Sequence, residues 1–146
     1  MFFGWRMPKY YPLEQPLTFK ISYSDLIALT WKNGALTADF VIPGESVKAL
    51  RVYFHKTEII RILDEFVLST EEGDRNAGLV AEHFAYSVED APFWKSQSET
   101  FRLVFSKVRH YCFITGNGCL DVISDVEPSM SVVTRSRKIQ TDDKPA

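Results

Sequence analysis

The sequence predicts a mainly β fold: a single antiparallel sheet domain, sandwich or barrel-like, with at most one or two short helices. Three observations carry that expectation. Asn33 and Gly34 sit between two runs that alternate apolar and polar residues, the pattern of a tight hairpin. Further alternating runs follow at short intervals, separated by Gly, Pro and polar residues. Aromatic residues make up 14% of the chain and eleven of them are Phe, whose rings suit the pleated, half-buried surface of a sheet.

At 146 residues the chain has the commonest size of one domain. The expected organisation is one β-rich domain over 1–134, with an aromatic N-terminal arm, and a polar tail over 135–146. The arm contains Phe2, Phe3 and Trp5, and it is expected to pack on its own sheet or on a second copy rather than lie in water. In the tail, Arg135, Arg137 and Lys138 are offset by Asp142 and Asp143, so it reads as solvated.

The elements follow in chain order. Over 26–42, a two-residue turn at Asn33 and Gly34 pairs Trp31 with Leu36, Leu29 with Ala38 and Ile27 with Phe40, all six on the more buried face. The other face takes Thr30 with Thr37, Ala28 with Asp39 and Leu26 with Val41. After Pro43 and Gly44, 47–55 alternates again, with Leu50, Val52 and Phe54 inward. The run 57–68 fits either helix, with Thr57 as N-cap, or strand; its three Ile in four positions favour strand. A polar loop over 71–78 precedes a strand over 79–88, whose inner face holds Phe84, Tyr86 and Val88. In 97–107 helix and strand are evenly balanced: Ser96 with Glu99 resembles a capping box ahead of Phe101, Val104, Phe105 and Val108. A second hairpin over 111–124 closes the fold. A three-residue loop there would pair Ile114 with Leu120 and Cys112 with Val122.

Composition and motifs exclude more functions than they suggest. A formal net charge of -2, with no lasting basic cluster, argues against nucleic acid as a partner. No stretch approaches the roughly 18 apolar residues of a membrane span, and Arg6 and Pro8 end the N-terminal apolar run before a secretory segment could form. A cytoplasmic location is expected. Cys112 and Cys119 lie on opposite faces in a three-residue loop register, or four positions apart on one face, roughly 13 Å, in a two-residue one. Neither meets the limit of about 7 Å between Cα atoms for a disulfide, so two structural thiols are expected. Spacing shows no third or fourth ligand, so neither a metal nor any other cofactor is expected.

Histidine is the side-chain type whose unperturbed charge change lies near neutrality; His55, His83 and His110 have Glu58, Glu82 and Asp121 as possible partners, but they read as surface or strand-edge residues. The carboxylate pairs Asp64 with Glu65, Glu71 with Glu72 and Glu89 with Asp90 fall in turns. There is no Gly-rich phosphate loop and no nucleophile elbow. No catalytic residue is therefore assigned. The candidate binding residues are Phe93 and Trp94, an aromatic pair directly after Pro92, and His83.

The leading functional expectation is a non-enzymatic binding or interaction module that recognises another protein, or a second copy, through a strand edge or the aromatic arm. An inhibitor of one specific partner, in the manner of a bacterial immunity protein, belongs to the same class. The alternatives are a small enzyme using a His and carboxylate site, and a carrier of a small apolar ligand in a β-lined cavity.

Overall fold

A computed structural model describes residues 7–64 and 76–135. The strands are β1 (Lys9–Pro12), β2 (Leu26–Lys32), β3 (Ala35–Val41), β4 (Lys48–Phe54), β5 (Ile59–Asp64), β6 (Ala85–Glu89), β7 (Arg109–Ile114), β8 (Gly118–Ser124) and β9 (Ser129–Thr134). Two short helices, α1 (Pro92–Lys95) and α2 (Glu99–Val104), fill the connection between β6 and β7. The fold is mainly β: two open antiparallel sheets, ordered β1-β6-β7-β8-β5 and β2-β3-β4-β9, packed as a sandwich. Among the described residues no helix is long and apolar enough to cross a membrane.

Alternation explains the layer between the sheets. Leu36, Ala38 and Phe40 of β3 and Leu50, Val52 and Phe54 of β4 face Tyr111, Phe113, Leu120 and Val122 of β7 and β8. The Phe rings touch one another across this layer. Phe84 lies 4.7 Å from Phe40 and 5.5 Å from Phe113, and Phe54 lies 6.1 Å from Phe113.

The first hairpin turns at Asn33 and Gly34, whose φ values of 53° and 82° are those of a type I′ turn. Trp31 pairs with Leu36, Leu29 with Ala38, Thr30 with Thr37 and Ala28 with Asp39, as the alternation predicts. Beyond Ala28 the expected register fails. A bulge at Ile27 lets Leu26, not Ile27, pair with Phe40, and it leaves Ile27 exposed. Trp31, expected on the buried side, is 59% exposed, since β2 is an edge strand among the described residues. Its indole N–H donates to Thr57 Oγ1 at 2.9 Å, and the Thr57 hydroxyl donates in turn to the Gly34 carbonyl at 2.9 Å. Thr57 thus pins the hairpin turn instead of capping a helix.

Within the described part of 57–68, Ile59–Asp64 form a strand, β5. The strand expected over 79–88 starts only at Ala85, since Glu82 adopts a positive φ of 58° that breaks the extended run. Phe84 enters the layer between the sheets, but Tyr86 and Val88 do not share its face. They pack on the opposite side of the sheet with Tyr10, Cys112 and Cys119. Over 97–107 the helix prevails, with a different cap: Ser98, not Ser96, accepts the Phe101 N–H at 3.0 Å. Val104 is exposed, contrary to its expected place on the buried stripe.

The second hairpin also has another register. Four residues, 115–118, separate the pair Ile114 and Cys119, so that Cys112 pairs with Asp121 and not with Val122. Arg135 does not belong to a free tail, since its guanidinium donates to the carbonyls of Glu45 and Lys48. The N-terminal arm with Phe2, Phe3 and Trp5, the Glu71 and Glu72 pair and the tail from 136 onward lie outside the described residues.

Candidate functional site

The outer face of the five-stranded sheet is almost as dry as the inner one. Strand pairing sets its side chains on a grid, with Asp121 of β8 between Cys112 of β7 and Arg61 of β5. Cys119 lies two residues before Asp121 on the same face, and His110 lies diagonally across. His110 Nε2 donates to Asp121 Oδ1 at 2.7 Å. Arg61 donates from Nε and Nη2 to Oδ2 at 3.2 and 3.0 Å, and the Cys119 thiol lies 3.7 Å from the same oxygen. Burial raises the Asp121 pKa, but the hydrogen bond and charge of His110, with those of Arg61, outweigh it and hold the carboxyl below its ordinary value.

Helix α1 covers this network. Pro92 opens the helix at a position where its missing N–H costs nothing, and Phe93 points down onto the sheet. The Phe93 ring lies 4.0 Å from the Arg61 guanidinium carbon and 5.1 Å from the His110 ring. His110 is left with 4% of its side chain exposed, and its buried Nδ1 has no hydrogen-bond partner among the described residues.

Next to this covered network lies an open cleft of about 500 Å³. Trp94, Val88 and Val108 supply its apolar wall, Glu89, Asp90 and Arg109 supply its charges, and His110 of the network also lines it. Glu89 accepts the Tyr11 hydroxyl at 3.1 Å. Along the helices, Trp94 stands 6.1 Å from Phe101, which stands 4.8 Å from Phe105. Beside this aromatic row Leu103 and Val104 are 71% and 68% exposed.

The three predicted binding residues are thus separated in role. Trp94 lines the cleft, and Phe93 is a buried cover rather than a contact surface. His83 is occupied elsewhere: its Nε2 bonds the Leu13 carbonyl at 2.9 Å and its ring packs on Tyr86. Sequence reasoning missed Leu103, Val104 and the network around Asp121. His110, expected at a surface or edge, is buried, although its possible pairing with Asp121 was visible. The third group near the two thiols, absent from their spacing, is Asp121.

Comparison of the chain with protein-family models, with curated proteins and with solved structures finds no match.

Proposed function

We propose that this protein is a non-enzymatic recognition module that binds another protein through α1, α2 and the adjoining cleft. The observation that carries this reading is the exposure of Leu103 and Val104 beside the half-buried row of Trp94, Phe101 and Phe105. Covering a Leu or Val side chain contributes about 1.5–3 kcal/mol, so a partner that covers both gains several kcal/mol at this point alone. Charge narrows the partner's chemistry. The cleft offers two carboxylates, Glu89 and Asp90, against one guanidinium, Arg109, with an indole beside them. Such a setting suits a Lys or Arg side chain. The partner is therefore a protein that presents an apolar patch next to a basic residue.

The alternatives are less well supported. A His and carboxylate pair is present and His110 lines the cleft, but a general base must come within about 2.6–3.2 Å of the proton it takes, and only 4% of the His110 side chain is exposed. Carriage of an apolar ligand between the sheets is opposed by the touching Phe rings that occupy that layer.

The test begins with co-purification of the full chain from cells that express it, and continues with calorimetric titration of the identified, purified partner. The double change Leu103→Asp, Val104→Asp is expected to weaken binding by about 100-fold, in line with two lost apolar contacts. Glu89→Lys with Asp90→Lys is expected to weaken it by about 10-fold, less so at high salt. A partner whose affinity neither double variant changes overturns the proposal. So does a homodimer in sedimentation that Leu103→Asp, Val104→Asp dissociates, because the surface then serves self-association.

A further inference from the structure

We propose that Cys112, Cys119 and Asp121 form a buried site for one thiophilic divalent cation of the zinc class. The inference is independent of the recognition surface. The two Sγ atoms and a carboxylate oxygen all lie within 4.8 Å of one another, and all three residues are buried. Bond lengths of about 2.3 Å to sulfur and about 2.1 Å to oxygen place two tetrahedral ligands roughly 3.6 Å apart. The Cys119 Sγ to Asp121 Oδ2 distance is 3.7 Å. Only a small inward movement of Cys112 is then required to close the set.

The surroundings suit such an ion. Ligating carboxylates are ordinarily held by hydrogen bonds from a second layer, and here His110 holds Oδ1 while Arg61 holds Oδ2. Charge is conserved on loading: the divalent ion replaces two thiol protons, M²⁺ + 2 SH giving M(S)₂ + 2 H⁺, and Arg61 remains the counter-charge of Asp121. Two thiolates select a soft ion over calcium or magnesium, which need shells of oxygen. A disulfide fits less well. Cys112 and Cys119 are diagonal neighbours across the strand pair, and such residues have Cα atoms about 7–8 Å apart, beyond the reach of about 7 Å for an unstrained bridge.

The probe is Co²⁺ added to the full chain, reduced and freed of metal with a chelator. One equivalent is expected to bind with a thiolate-to-cobalt charge-transfer band and tetrahedral visible bands, to be displaced by Zn²⁺, and to release about two protons near pH 7. Cys112→Ser and Cys119→Ser are each expected to weaken binding by at least about 100-fold, with circular dichroism confirming that each variant stays folded. Should a variant unfold, the cobalt spectrum and proton release of the unaltered chain decide the matter. Absence of the band, its persistence in the double Ser variant, or oxidation of the two thiols to a disulfide under the same conditions would each overturn the proposal.

Discussion

At Asp121 two opposing effects meet, since burial favours the neutral acid while His110 and Arg61 favour the carboxylate, and the second effect wins. A folded-state pKa below that of the unfolded chain, about 3.9, means that ionisation stabilises the fold. The contribution is fully present above the unfolded value and is lost as pH falls through the lower folded value. Urea unfolding of the chelator-treated chain is therefore expected to show stability falling in acid below about pH 4. Asp121→Asn is expected to cost about 1.5–3 kcal/mol at pH 7, because a neutral amide loses the charge-assisted hydrogen bonds that the carboxylate accepts from buried His110 and half-buried Arg61, and to flatten the acid dependence. A variant as stable as the parent at pH 7 would contradict this account of the network. The residues of the network were all visible in the sequence, but their meeting was not. Whether His110, Cys112, Cys119 and Asp121 share one face depends on the loop between β7 and β8, and a slip of one residue moves a whole strand's side chains to the other face.

Elements were legible where local chemistry and alternation agreed. The turn at Asn33 and Gly34 and the inward faces of β3 and β4 follow from such agreement. Alternation could not say which face of β6 meets the second sheet, because both faces of the five-stranded sheet are buried and Tyr86 is as apolar a signal as Phe84. The bulge at Ile27 carries no Gly or Pro to announce it. Close approaches between elements are equally silent. At Gly116 a Cβ would stand 2.3 Å from the Ser22 carbonyl oxygen, where the turn before β2 meets the loop before β8 and the Gly116 N–H donates to the Ile21 carbonyl at 2.8 Å. Gly116→Ala is expected to destabilise by about 1–3 kcal/mol, the usual cost of overpacking, since backbone must move. Gly44 has open space around it, so the same change there meets no clash, only the strain of its φ of 81°. Chemical denaturation of the two variants compares them, and a Gly116→Ala protein of parental stability would show that the loop yields freely.

For the whole molecule, the two outer faces differ in kind. That of the four-stranded sheet carries the Asp39 and Arg51 ion pair at 2.8 Å, with Thr37 and Tyr53 near it, and is wet. That of the five-stranded sheet is dry, covered by α1 through Phe93, and the same short insertion turns Leu103 and Val104 outward. The fold class was legible from composition and turns; the insertion's exposed side was not, since helical spacing places Val104 with Phe101 and gives no sign that a six-residue helix lies too shallow to bury both. The central proposal, that this outward side is a recognition surface for another protein, is tested most directly by photo-crosslinking in cells that express the chain. A photoreactive amino acid replaces Leu103 in one variant and Tyr53, on the wet face of the other sheet, in a second. The account predicts one discrete adduct from position 103, with a basic residue near the crosslinked site of the partner, and none from position 53. Adducts from position 53 alone, equal labelling from both positions, or no adduct from position 103 would contradict it.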